Sequence, residues 1–197
     1  MKRLFTLLIL LSPVMLVAQD SPKRIEGFYG IKFGSTKAQS METMKAKGAV
    51  QDVPLTTENR VVYKSLTFAG RKSNLAAIYF VDDKLYQGTV FFIANNDNEA
   101  LKLFDEVVNE IGELYPSQDV FKSFKSPYEE GDGHEVTAIK LGYATYTAFW
   151  NTPGSGESEN FVSLEVTTEM NLKLTYQDGN LIKIVGERSK AKKAKDY

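Results

Sequence analysis

The clearest pattern of apolar and polar positions in the chain lies at residues 74–93, NLAAIYFVDDKLYQGTVFFI. Two apolar runs rich in β-branched and aromatic residues flank the polar Asp82, Asp83 and Lys84, which is typical of an antiparallel hairpin. Each run carries apolar residues at both odd and even positions, so neither face of the hairpin is expected to be fully solvated. We therefore predict that these two strands form the centre of a sheet.

Two stretches have the periodicity of an amphipathic helix. The first covers about 36–47 and starts at Thr36, with Gln39 three positions later in the capping-box pattern. The second has Asn96 as its N-cap, and Pro116 forbids its continuation. The apolar stripe of the second helix recurs at spacings of three and four residues and consists of Leu101, Phe104, Val108, Ile111 and Tyr115.

The remaining pattern predicts strands joined by turns and polar loops. Asp178 and Gly179 are a strong hairpin signal. Two polar segments, 117–135 and 151–160, are predicted to be loops, and the basic tail 188–197 is expected to be mobile and solvated, with weak contact to anionic lipid as the alternative. The other predicted strands cover 27–33, 61–68, 136–141, 143–150, 161–167, 171–176 and 181–185.

This order of elements predicts an α+β protein, with an antiparallel sheet that has its helices on one face. Residues 20–187 are expected to form a single domain, because about 180 residues can bury one substantial core. The order also fits two helix-plus-strands units, at about 27–93 and 96–186.

The N-terminus has the pattern of a secretory signal peptide. Lys2 and Arg3 precede an apolar run at 4–17, which is shorter than the roughly 20 residues of a membrane span. We predict that residues 1–19 are removed by cleavage near Ala18 or Gln19, and that the mature protein is periplasmic or secreted without a transmembrane segment. An N-terminal membrane anchor is the alternative.

Composition narrows the classes of function. Removing Lys2 and Arg3 from the 24 basic residues leaves 22 against 25 acidic residues, a balance that argues against nucleic acid as a partner. The chain has no cysteine and one histidine, His134, so it cannot supply thiol ligands or a cluster of histidines for zinc. We expect no cofactor, no metal site and no catalytic residue that the sequence can identify. Calcium at the acidic residues of the 129–135 segment is the weaker alternative.

Several segments resemble small exported proteins of Bacteroidetes-type bacteria. The segments are FYGIKFGSTKAQSMETMKAKGA at 28–49, YKSLTFAGRKSNLAAIYFVDDKLYQGTVFF at 63–92, and the run from Trp150 through a Gly-rich loop to LKLTYQDGN. This resemblance implies export and a fold, and it identifies no site. At the level of fold, helix-then-strands units are also similar to outer-membrane assembly lipoproteins of the SmpA/OmlA type and to β-lactamase inhibitor proteins. The absence of a lipobox cysteine departs from the lipoprotein pattern.

The stretch YATYTAFW at 143–150 is the best candidate for a binding surface. On a strand, Tyr143 and Phe149 share one face and Tyr146 and Trp150 share the other. One face must cover helices, and exposed aromatic residues on the other would mark a surface for a partner or a glycan. Tyr143, Tyr146, Phe149 and Trp150 are therefore the candidate binding residues. The alternative is that Trp150 and its neighbours belong to the core.

We predict that the protein is an exported, non-catalytic binding module. Its partner is expected to be an envelope protein or a peptide, recognised by exposed sheet surface and by the loops at 117–135 and 151–160. The alternative function is an envelope hydrolase that uses paired carboxylates on polysaccharide or peptide. A purely structural envelope component is a third interpretation.

Overall fold

The computed structural model describes residues 23–116 and 118–195, so the predicted signal peptide at 1–19 lies outside the described residues. Within the described ranges the helices are α1 Lys37–Ala46, α2 Asp97–Leu114, α3 Glu135–Lys140 and α4 Gly179–Lys193. The strands are β1 Gly27–Phe28, β2 Ile31–Lys32, β3 Val50–Gln51, β4 Arg60–Lys64, β5 Leu66–Phe68, β6 Arg71–Ser73, β7 Leu75–Val81, β8 Lys84–Ile93, β9 Gln118–Phe124, β10 Ala144–Pro153, β11 Glu159–Val166 and β12 Asn171–Gln177. In this part of the chain, no helix is both long and apolar enough to cross a membrane.

Eight of these strands form one antiparallel sheet in the order β3-β4-β7-β8-β12-β11-β10-β9. The predicted hairpin is confirmed as β7 and β8, in the interior of the sheet. Its turn is tight because Asp82 and Asp83 both adopt positive φ, at 50° and 59°, as a type I′ turn requires. The prediction of an α+β protein with an antiparallel sheet is confirmed.

One face of the sheet, which we call the inner face, carries the core. Directly paired residues of neighbouring strands share a face, so the pairings Trp150 with Val162 and Leu164 with Leu174 define the inner face. All four side chains are buried. Helix α2 packs on the inner face, where the Phe104 ring lies 5.7 Å from the Tyr146 ring, centroid to centroid.

The N-terminal hairpin β1–β2 adds an aromatic cluster to the core. The Phe28 ring stacks on Phe68 with a centroid distance of 5.4 Å and lies 5.8 Å from Tyr176. Room for Phe28 depends on Gly88 in β8, because a Cβ atom there would come within 2.0 Å of Phe28 Cγ. The glycine is therefore needed for the close approach of two elements.

The other face, the outer face, is polar at its centre. Thr89 and Thr175 Oγ1 atoms lie 3.2 Å apart, and Gln177 Nε2 donates to Gln87 Oε1 at 2.7 Å. Helix α4 begins at one end of this face. There Asn160, a residue of β11, bonds to both the N-terminal segment and the start of α4. Its Nδ2 donates to Ile25 O at 2.7 Å, and its Oδ1 accepts from Gly179 N at 3.0 Å.

Both long predicted helices are confirmed, with Thr36 and Asn96 as their N-caps. Several local predictions are wrong. The 117–135 segment is not only a loop, because it contains β9; the strand expected at 136–141 is mostly helix α3; and the strand expected at 181–185 is part of α4. Asp178 is the N-cap of α4 instead of a hairpin residue, since its Oδ1 accepts from Asn180 N and Leu181 N at 3.0 and 2.8 Å. The predicted tail is helical as far as Lys193.

Candidate functional site: a free sheet edge beside an apolar cleft

The four candidate residues of the 143–150 stretch divide between two environments. The predicted alternation is confirmed along β10, where buried and exposed side chains follow each other. Tyr146 and Trp150 lie on the inner face and are 5% and 1% exposed, whereas Tyr143 and Phe149 are 42% and 41% exposed. The four side chains therefore do not form one surface.

Tyr146 and Trp150 are core residues, and the interpretation of them as binding residues is wrong. Tyr146 packs edge-on against Phe104 and Phe124, and burial, with nearby carboxylates, raises its pKa to about 12. The Trp150 Nε1–H donates to Gln118 Oε1 at 3.2 Å. Both side chains therefore present almost no surface to a partner.

Phe149 instead forms an exposed pair with a residue of β9. The Phe121 ring lies 6.1 Å from the Phe149 ring, centroid to centroid, at an interplanar angle of 63°. Both side chains are on the outer face, and Phe121 is 54% exposed. Exposed aromatic pairs are unusual away from binding surfaces, since their burial is worth more than that of smaller apolar side chains. We call Phe121 and Phe149 the aromatic pair.

Strand β9 is the edge of the sheet, and among the described residues no element pairs with its outer side. Lys125 N donates to Tyr143 O at 2.7 Å, so Lys125 and Tyr143 are a hydrogen-bonded pair of the antiparallel ladder between β9 and β10. Because hydrogen-bonded pairs alternate along such a ladder, Phe121 and Ser123 bond to β10. The backbone N–H and C=O groups that point away from β10 belong to Gln118, Val120, Lys122 and Phe124.

A cleft of about 500 Å³ opens beside the aromatic pair, between α4 and the outer face. Its apolar walls are Phe149, Phe161 and Ile182, and its charged side chains are Asp119, Glu159 and Lys183. A volume of this size accommodates one or two large side chains. We call this feature the α4 cleft.

One residue that lines the α4 cleft carries a polar atom without a hydrogen-bond partner. Ser158 Oγ is buried and has no hydrogen-bond partner among the described residues. Buried hydroxyl groups are normally hydrogen-bonded, so an unsatisfied one in a cleft indicates a place where a ligand or water can bond. On one wall, Glu159 Oε2 accepts from Asn151 Nδ2 at 3.0 Å.

Four acidic side chains of the described residues lack the raised pKa of a general acid. A general acid for glycoside hydrolysis needs a raised pKa, but the pKa values of Asp82, Glu110, Asp132 and Glu169 are all lowered by hydrogen-bond donors. Of these donors, Arg188 acts on Asp82 and Arg71 acts on Glu110.

The acidic segment at 129–135 uses its oxygens to close its own loop. Asp132 accepts from Glu129 N and His134 N, and Glu135 accepts from Gly131 N. In residues 23–116 and 118–195, no three His, Cys, Asp or Glu side chains are grouped closely enough to hold a metal ion.

Comparisons of the chain with models of known protein families, with curated proteins and with solved structures found no match.

The edge strand and the α4 cleft are the parts of the site that the sequence analysis missed. A signal for β9 was present in Val120, Phe121 and Phe124, since β-branched and aromatic residues favour strands.

Proposed function

We propose that this protein is an exported interaction module that binds an extended segment of an envelope protein or peptide. The segment adds to the sheet as a further strand along β9. The observation that carries this proposal is the free edge of a seven-residue strand directly beside the exposed aromatic pair. Export rests on the signal-peptide pattern of residues 1–19.

Backbone hydrogen bonds supply affinity in this mode of recognition. The four outward-facing residues of β9 offer one N–H and one C=O each. Proteins usually protect such an edge with prolines, bulges or inward-pointing charges. Strand β9 has one such charge, Lys122, which pairs with Tyr146 on the inner face and is bound to Asp105 at 3.1 Å. Val120 and Phe121 nevertheless leave apolar surface at the edge, because they are 42% and 54% exposed.

The outer face supplies the selectivity. Alternate side chains of an added strand would lie beside Asp119 and Phe121 on this face. The aromatic pair and the apolar walls of the α4 cleft favour a large apolar side chain. Asp119 and Glu159, opposed by Lys183 alone, favour a neighbouring basic side chain. The expected partner is thus an extended segment with a large apolar residue next to Lys or Arg.

The experiment is a selection from displayed random peptides of about ten residues, which are long enough to pair along β9. Selected peptides are measured against two variants of Val120. Val120→Pro removes one outward N–H and keeps three side-chain carbons, whereas Val120→Ala keeps the N–H group and removes two methyl groups. We expect Val120→Pro to weaken binding about tenfold or more and Val120→Ala to change it less.

Three results would count against the proposal. These are a selection that returns no binder, binders that are indifferent to Val120→Pro, and a concentration-dependent dimer of the protein that is lost in Val120→Pro. The dimer would mean that a second copy of the chain, and not a partner segment, occupies the edge. Thermal unfolding of both variants shows whether the fold has survived.

A further inference from the structure

A second cavity lies beside the β1–β2 hairpin. It shares no lining residue with the α4 cleft, so it is independent of the proposed peptide site. It is an open cavity of about 550 Å³ between the β1–β2 hairpin, the end of α1, the end of α2 and the turn after β5. Binding sites for small molecules usually have this size. We call it the hairpin pocket.

The hairpin pocket is strongly basic. Four cationic side chains, Lys23, Arg24, Lys32 and Lys47, line it together with one acidic side chain, Glu26. The whole chain has a formal net charge of −1, so this positive charge is local. Several like charges around one cavity raise the local concentration of anions.

The cations differ in how far they are already engaged. Arg24 Nη2 donates to Pro153 O and Gly154 O at 2.9 and 3.0 Å, so this side chain mainly holds the N-terminal segment in place. Lys47 Nζ lies 4.3 Å from the centroid of the Tyr29 ring. Within the described residues, Lys23, Lys32 and Lys47 have no carboxylate partner. Of these three, Lys32 lies in β2 and Lys47 is the C-cap of α1, so these two ammonium groups are the ones held by regular structure at the pocket.

The walls of the pocket are aromatic. Phe68 stacks on Tyr29 with a centroid distance of 5.4 Å and an interplanar angle of 26°. Tyr115 and Tyr176 also line the cavity, and the Tyr176 ring lies 6.1 Å from Phe68. Aromatic walls favour a flat or apolar ligand body.

Tyr29 is held in this wall at a conformational cost. Its φ is 53°, in the left-handed region that non-glycine residues rarely adopt. Its hydroxyl donates to Thr67 O at 2.7 Å, which fixes the ring. A strained residue that is held by specific contacts is a reason to look for a function.

Two phenol groups complete the donor set. Among the described residues, neither the Tyr115 nor the Tyr176 hydroxyl has a hydrogen-bond partner. Burial raises the pKa of both groups above the ordinary value for tyrosine. Both phenols are therefore protonated at neutral pH and can donate to an anionic oxygen.

From these observations we propose that the hairpin pocket binds a small anion with a flat apolar body, such as an aromatic carboxylate or phosphate ester. Lys32 and Lys47 neutralise the anionic group, and the half-buried ring of Tyr29, which the core residue Phe68 supports by stacking, contacts the apolar body. This proposal does not rest on the peptide site at β9.

The probe is phenyl phosphate, compared by titration calorimetry with inorganic phosphate and with benzyl alcohol. Phenyl phosphate combines both parts of the expected ligand, and each of the other two carries one part. We expect phenyl phosphate to bind at least about tenfold more tightly than either, and more weakly at high salt.

The variants separate this pocket from non-specific attraction. The double variant Lys32→Gln, Lys47→Gln is expected to weaken phenyl phosphate binding about tenfold or more. Lys45→Gln is the matched control, because Lys45 lies on the same last turn of α1 but does not line the pocket. Equal weakening by Lys45→Gln, equal affinity for benzyl alcohol, or no binding of phenyl phosphate would each overturn the proposal. Unchanged thermal midpoints in all variants confirm that each one is folded.

Discussion

Phe121 and Phe149 occupy diagonal positions on neighbouring strands, with their ring centroids 6.1 Å apart on the outer face. Each ring is about half exposed. One residue along β10, Trp150 is completely buried on the inner face. The alternation of a strand thus separates a residue that builds the core from a residue that is free to bind.

This separation predicts different costs of truncation in β10. Trp150→Ala removes a fully buried side chain and should lower the free energy of unfolding by about 3–5 kcal/mol. Phe149→Ala should lower it by about 1 kcal/mol or less, because the ring is already half exposed. Urea unfolding measures both. Similar losses in the two variants would mean that the assignment of the two faces is wrong.

The contact between Gly88 and Phe28 predicts that Gly88→Ala is destabilising. The added Cβ would overlap the Phe28 ring, so Phe28 or β8 must move, at a cost of about 1–3 kcal/mol. Gly186→Ala in α4 is the matched control, since a Cβ atom there meets nothing within 4 Å. It should stabilise the protein by about 0.5–1 kcal/mol if this segment is helical. A destabilising Gly186→Ala would argue against helix α4.

Asn160 is expected to be the most sensitive polar residue in the core. Asn160→Ala leaves Ile25 O and Gly179 N without their partner, which should cost about 2–4 kcal/mol. The control is Asn109→Ala on the exposed side of α2, where a change within about 0.5 kcal/mol is expected. Denaturant unfolding with both variants tests this. A small effect at Asn160 would mean that Asn160 does not anchor the N-terminal segment and the start of α4.

The ion pair between Arg71 and Glu110 predicts a weak dependence of stability on pH. The Arg71 guanidinium donates to both oxygens of the Glu110 carboxylate and lowers its pKa in the folded state. The stabilisation is therefore complete above the pKa of the unfolded state and is lost as the pH falls through the lower, folded value. It should amount to about 1 kcal/mol or less, because half of the Glu110 side chain is exposed.

Comparison of wild type with Glu110→Gln measures this contribution. The difference in unfolding free energy should be larger at pH 7 than in strong acid, and it should shrink at high salt. A difference that is the same at both pH values would contradict an ionic origin.

The parts of the fold that the sequence predicted correctly have strong local signals. Helix α2 has a complete apolar stripe and an Asn96 cap, and β7–β8 has two apolar strands around a polar turn. The failures have physical causes. Strand β9 is exposed on both faces, so it lacks the alternation that identifies a half-buried strand. Asp178 and Gly179 suit both a hairpin and a helix start, and the contact of Asn160 with Gly179 adds a long-range interaction that favours the helix start.

The site could be predicted only in part for a related reason. The sequence of β10 shows which side chains share a face, but it does not show which face is covered by α2. Phe149 was therefore grouped with Tyr146 and Trp150, which belong to the core. Its real neighbour, Phe121, lies in the segment that the pattern assigned to a loop. Long-range pairing, which a single sequence does not reveal, creates this surface.

The central claim is that an extended partner pairs with the outer edge of β9, and amide hydrogen exchange followed by NMR tests it most directly. In the free protein, the amides of Val120 and Lys122 should exchange quickly, whereas those of Phe121 and Ser123, which bond to β10, should be protected. Addition of a saturating selected peptide should slow exchange at Val120 and Lys122 by about tenfold or more. If these two amides exchange at the same rate with and without the bound peptide, the partner does not add to β9 and the account is wrong.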